Sequence, residues 1–184
     1  MNIKMALLSI TVFSSGLSWS QSCALPIEKI NVASIGLHSS FDTLKQNFPT
    51  AFKKDMHDGS SAIAFKNAQG YSDNTLPSLE KQGVVSVMHL SMSNKNNRVV
   101  SYALNFSEGS MANLETPLDT FKQRLLSKFS LPQTGWKKQG SNYNYRCDDY
   151  RIQISQDHGV GRSSMGPTLM MAAKDSLMFR SSWE

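Results

Sequence analysis

Between residues 99 and 106 apolar and polar side chains alternate, with Val100, Tyr102, Leu104 and Phe106 on one side. Period-two alternation is the mark of a half-buried strand. Residues 84–92 read the same way, with Val85, Val87, His89 and Ser91 facing one side and Val84, Ser86, Met88, Leu90 and Met92 the other. The turn Asn94-Lys95-Asn96-Asn97 joins the two runs as an antiparallel pair. Further strands are expected at 61–65, 142–147, 150–155 and 168–173, with Asp148-Asp149 as a two-residue turn between the second and third. Two segments carry helical spacing instead. Phe41 and Leu44 form one apolar face, and Leu118, Phe121 and Leu125 form another. The first helix should end near Asn47, ahead of Pro49, and the second near Lys128, ahead of Pro132. Ser39 and Thr116 are the expected caps, with Asp42 and Asp119 three residues on and Pro117 at the first helical position.

The two helix starts echo each other. Ser39-Ser40-Phe41-Asp42-Thr43-Leu44-Lys45-Gln46 returns 77 residues later as Thr116-Pro117-Leu118-Asp119-Thr120-Phe121-Lys122-Gln123. A second echo follows in the same order: Phe52-Lys53-Lys54 leading to Gly59-Ser60, and Trp136-Lys137-Lys138 leading to Gly140-Ser141. Matched segments in matched order point to an internal repeat. The expected fold is therefore α+β, with two tandem helix-plus-three-antiparallel-strand repeats packed together or sharing one sheet. The first unit, with an N-terminal strap, covers 21–112, and the second, with a C-terminal tail, covers 113–184.

Residues 1–20 read as a signal peptide: Lys4 supplies the positive start, 6–13 the apolar core, and Ser18 and Ser20 the small residues of a cut before Gln21. That stretch is too short for a membrane anchor, so a periplasmic or secreted chain is expected. The formal charge of +5 falls to +4 without Lys4, and the lysines and arginines are scattered, so no nucleic-acid motif or basic stripe stands out. In an oxidising compartment Cys23 and Cys147, the two cysteines, read as a disulfide. The competing reading is lipid anchoring at Cys23, which Ser20 at −3 suits poorly and which would orphan Cys147.

The stretch Ile35-Gly36-Leu37-His38-Ser39-Ser40-Phe41-Asp42-Thr43-Leu44, closing at Phe48-Pro49, resembles the opening of helix-plus-hairpin modules in small bacterial envelope proteins. These include the small lipoprotein of the outer-membrane barrel-assembly machine and the tandem modules of the β-lactamase-inhibitor protein. The likeness covers about fifteen residues and the order of elements, and Phe48 stands where that pattern usually carries Gly. It implies a non-catalytic binder of other proteins and assigns no individual binding residue.

Catalytic signatures are missing: there is no GxSxG, HExxH, CxxC or phosphate-binding loop. Gly159-Val160-Gly161 and Gly166 belong to a loop that precedes a strand, where no helix N-terminus could hold phosphate. His57 in Asp55-Met56-His57-Asp58 and His158 beside Asp157 are the histidines with neighbouring acids, and both read as solvated loop residues. Met88, His89 and Met92 raise copper(I), but strand alternation turns both methionines away from His89. No catalytic residue, metal or cofactor is therefore expected, and the chain reads as a non-enzyme. Trp136, Tyr143, Tyr145, Arg146 and Arg151 form the candidate protein-binding face, because Tyr, Trp and Arg dominate interfaces. The leading expectation is an exported protein-binding module of inhibitor, immunity or assembly-accessory type whose partner is another envelope protein. The alternative is a cell-wall-acting enzyme or small-molecule binder with a site between the two repeats.

Overall fold

The computed structural model describes residues 22–56, 59–157 and 166–180. The signal-peptide residues, His57, His158, the loop 158–165 and Trp183 lie outside these described residues. The described chain opens with a 3-10 turn at Ile27–Lys29 and a hairpin of two-residue strands, β1 (Asn31–Val32) and β2 (Ile35–Gly36). Its turn residues Ala33 and Ser34 both lie in the left-handed region, at φ 53° and 68°. A tight hairpin requires that conformation twice, and the Asn31 side chain supports it by accepting the Ser34 N–H at 3.1 Å.

Helix α1 (Phe41–Asn47) follows. Ser40, not Ser39, caps it: the Ser40 hydroxyl accepts the Thr43 N–H at 3.1 Å. The chain then runs through β3 (Ala51–Asp55), β4 (Ser60–Lys66), β5 (Ser72–Asp73), the one-turn α2 (Pro77–Glu80), β6 (Ser86–Ser93) and β7 (Arg98–Asn105). Helix α3 (Leu118–Lys128) has Pro117 at its cap and no side-chain capping bond. Thr116, the expected cap, is instead held in the preceding turn by Asn113, whose side-chain oxygen accepts the Thr116 hydroxyl at 2.8 Å. Strands β8 (Lys137–Gln139), β9 (Asn142–Arg146), β10 (Tyr150–Asp157) and β11 (Gly166–Ala173) come next, and α4 (Leu177–Arg180) ends the described chain.

The protein is α+β with an antiparallel sheet ordered β3-β4-β6-β7-β11-β10-β9-β8, and β5 lies beside β4. Strands β7 and β11 join the two ends of the chain, pairing Leu104 with Leu169 and Tyr102 with Met171. Each side of that seam carries four strands on this path, where three were expected. The unexpected ones are β3 and β8, the two edges of the sheet. Both are dominated by exposed polar side chains, so neither shows the alternation that reveals a half-buried strand.

Helices α1 and α3 share one face of the sheet. Phe48 meets Phe65 edge-on at 5.6 Å, and Phe106 meets Phe121 at 5.3 Å. Leu44, Phe121 and Leu125 are fully buried against Ile63, Leu90, Leu104, Ile152, Ile154 and Leu169. Burying each such side chain contributes on the order of 2 kcal/mol, which no isolated helix of seven or eleven residues could supply from its own hydrogen bonds. The N-terminal strap is pinned to the same layer by the Cys23–Cys147 disulfide.

Two register shifts interrupt β6 and β7. Val87 pairs with Leu104 and His89 with Ala103, so Met88 is an extra residue and the alternation changes phase there. Val87 consequently lies in the core with Leu90 and Met92, while His89 and Ser91 take the opposite face. The expected common face of Val87, His89 and Ser91 is thus overturned by one inserted residue.

Tyr102 is the polar group most at odds with this core. It is fully buried, and its hydroxyl has no hydrogen-bond partner among the described residues. A buried hydroxyl left unpaired carries a desolvation cost that its removal relieves. Tyr102→Phe is expected to leave stability unchanged or raise it by up to about 1 kcal/mol in urea denaturation. A loss of more than about 1 kcal/mol would mean that the hydroxyl has a partner in solution.

Candidate binding face

The five residues of the expected binding face do not share a surface. Tyr143 and Tyr145 point to the helix side of β9, and Arg146 and Arg151 to the other side. Tyr145 is a core residue, 1% exposed, stacked on Tyr150 at 5.7 Å and tilted against Trp136 at 5.7 Å. Its hydroxyl accepts the Ala24 N–H at 2.8 Å. Trp136 is half-buried, donating its indole N–H to the Pro132 carbonyl at 2.7 Å. Tyr-Asn-Tyr-Arg alternation could have revealed the split, since residues one apart on a strand face opposite ways.

At the β8–β9 edge several cations converge. Lys122, reaching from α3, lies 4.1 Å from the centroid of the half-buried Tyr143 ring. Lys138 lies 5.5 Å from the centroid of the same ring and pairs with Asp119 at 3.0 Å. The Tyr143 hydroxyl donates to Asp119, and that bond, followed by the one from Lys138, holds the Asp119 carboxyl below its usual range. On the opposite side of the edge, Lys137 and Arg146 are exposed, with half-buried Asn142 and Asn144 between them. The Asn144 amide donates to the Gln139 side-chain oxygen at 2.6 Å. Among the described residues gathered here Asp119 is the one carboxylate, and Lys138 neutralises it.

The sheet face away from α1 and α3 is lined by small and polar groups. One row of paired residues runs Ala62–Ser91–Ser101–Ala172–Arg151 and ends at Arg146. The C-terminal segment lies over this row. The Arg151 guanidinium donates to the Met178 carbonyl, and the guanidinium carbons of Arg146 and Arg151 lie 5.2 and 5.7 Å from the centroid of the Phe179 ring. Burial, then the nearby Arg146 charge, pushes Arg151 down to about 10, which leaves it charged at neutral pH. Arg151 is thus 7% exposed and committed to holding the tail. The described part of the C-terminal segment therefore packs down.

Under that segment lies a cavity of about 270 Å³, lined by residues from both ends of the chain, from Met56 to Ser101 and from Asp175 to Met178. His89 and Ser101 share a hydrogen bond of 2.9 Å in its wall. Burial lowers the His89 pKa, so the imidazole is neutral at pH 7. Met88 is exposed and Met92 lies in the core, so neither joins His89 in a metal site. Among the described residues no group of three or more His, Cys, Asp or Glu side chains could hold a metal ion. No described helix is long and apolar enough to cross a membrane.

The chain matches no protein-family model, no curated protein and no solved structure. The functional reading therefore stands on the geometry.

Proposed function

We propose that this chain is an exported, non-catalytic protein-binding module of the bacterial envelope, and that it docks an acidic partner surface along its β8–β9 edge. The observation that carries this reading is the gathering of Lys122, Lys137, Lys138 and Arg146 around one exposed sheet edge, with Asp119 already neutralised by Lys138. Like charges concentrated at an edge favour an oppositely charged partner and speed its encounter. Half-buried Tyr143 and Trp136 add aromatic contact area at the same place. Lysines on an edge strand also discourage pairing with a second copy of the same strand, so the partner surface is side-chain-based and acidic. The signal-like first twenty residues and the disulfide support export. The mirrored order of β3-β4-β6-β7 and β8-β9-β10-β11 about the β7–β11 seam supports two related units, 21–112 and 113–184, sharing one sheet. It also fits the resemblance to helix-plus-hairpin envelope modules.

The test is affinity capture of residues 21–184 from an envelope extract of the native host, at low and high salt. A stoichiometric acidic partner is expected, retained at low salt and weakened at high salt. The pair Lys137→Glu and Arg146→Glu should abolish capture and leave the unfolding midpoint within roughly 2 °C, because both side chains are exposed. Capture that survives both charge reversals would place docking elsewhere on the molecule.

A further inference from the structure

The geometry points to a second, small-molecule site in the cavity beneath the C-terminal segment, built for a neutral amphipathic ligand with a hydroxyl or amide head and a short apolar body. The cavity exists because the sequence puts Ala62, Ser91 and Ser101 at neighbouring positions on three adjacent strands, where branched side chains would fill the space. Both register shifts of β6 and β7 border it. The first turns His89 out of the core and into the cavity wall, and the second makes Val100 the extra residue beside Ser101. Bulges concentrate where a strand must re-aim a side chain beside a site.

The polar groups of the wall are sorted for a neutral partner. His89 and Ser101 satisfy each other at 2.9 Å. Ser91 is nine-tenths buried, lines the same cavity, and makes no side-chain hydrogen bond among the described residues. Its hydroxyl is not one of the fully buried unpartnered atoms, so it opens onto the cavity, where it can donate to or accept from a ligand hydroxyl or amide. Lys and Arg are absent from the described lining, so nothing there balances an anion. Asp175 stands at the rim, but its carboxylate is engaged by Asn96 at 3.2 Å and by His38 at 3.7 Å. Met56 is 48% exposed and Leu177 62% exposed, among the most exposed large apolar side chains described, and both line this cavity. The His89, Ser91 and Ser101 side chains beside apolar Met56, Val100 and Leu177 match a ligand with one polar head and a short apolar body.

This site stands apart from the docking edge and does not depend on it. The test follows the His89 ring resonances by NMR in the full mature chain during titration with hexanamide and 1-hexanol, with hexanoate and hexylammonium as charged counterparts. Saturable shifts are expected with both neutral probes and with neither ion. Ser91→Ala should weaken binding roughly tenfold, the value of one lost hydrogen bond. Ser91→Leu should abolish it by filling the cavity. Lys137→Glu, at the exposed docking edge, should leave the titrations unchanged, which separates this proposal from the docking one. The proposal is overturned if neither neutral probe gives a saturable shift, if either ion binds as well, or if the shifts persist in Ser91→Leu.

Discussion

Reduction of the Cys23–Cys147 bond is expected to lower the unfolding free energy by about 4 kcal/mol and the thermal midpoint by roughly 10 °C. The bond closes a loop with a sequence separation of 124 residues. In the chain-entropy account, a loop of that length removes about 4–5 kcal/mol worth of freedom from the unfolded ensemble. The folded contacts of the strap do not need the bond. The Tyr145 hydroxyl still accepts the Ala24 N–H, and the Tyr150 hydroxyl still donates to the Leu25 carbonyl at 2.9 Å. The loss therefore falls on the unfolded state, and the reduced protein should keep its native near-ultraviolet spectrum until it unfolds. Urea melts with and without reductant, beside the double variant Cys23→Ala and Cys147→Ala, supply the measurement. The double variant and the reduced protein should agree within about 1 kcal/mol. A shift below about 1 kcal/mol would mean that the unfolded chain already keeps its two ends together. Such dependence on a disulfide also ties the protein's stability to an oxidising compartment, consistent with export.

What the sequence made legible follows from burial. Strands β6, β7, β9 and β10 bury one face under α1, α3 and the strap, so their alternation is written into the residue order, whereas β11 is buried on both faces and reads as a near-continuous apolar run. Helix α3 could be read from Leu118, Phe121 and Leu125, of which the last two are fully buried. The edge strands β3 and β8 could not be read as strands, because backbone pairing to a single neighbour imposes no apolar pattern on Phe52-Lys53-Lys54 or Lys137-Lys138-Gln139. The phase error in β6 has a different origin. A bulge inserts Met88 without changing composition, and alternation counted along one strand cannot register a mismatch with its partner. The candidate binding residues divided for the simplest reason. Composition grouped Tyr145 with Arg146, and period two separates them by the thickness of the sheet. The cavity was the least legible feature. It is made by what Ala62, Ser91 and Ser101 leave empty, and a short side chain in a strand gives no sign of whether it faces a void or a neighbour.

Tyr145→Ala is expected to cost about 3–5 kcal/mol, while Arg146→Ala, one residue on, should cost less than about 1 kcal/mol. The contrast rests on which face each side chain takes. Tyr145 is 1% exposed and sits between Trp136 and Tyr150, so its removal leaves a ring-sized void between two aromatic neighbours at 5.7 Å. It also strips the Ala24 N–H of its acceptor, loosening the strap beside the disulfide. Tyr145→Phe isolates that last contribution and should cost about 1 kcal/mol. Arg146 is exposed, and its contact with the Phe179 ring at 5.2 Å is the main packing it gives up. Thermal melts of the three variants provide the comparison. They also decide how binding data are to be read. Loss of capture in Tyr145→Ala would follow from loss of the fold at the temperature of the assay. Loss of capture in Arg146→Glu, with the midpoint preserved, would report the docking edge itself. If Tyr145→Ala instead cost less than about 1 kcal/mol, the ring would have to be solvent-accessible, and the aromatic cluster would return to the binding surface.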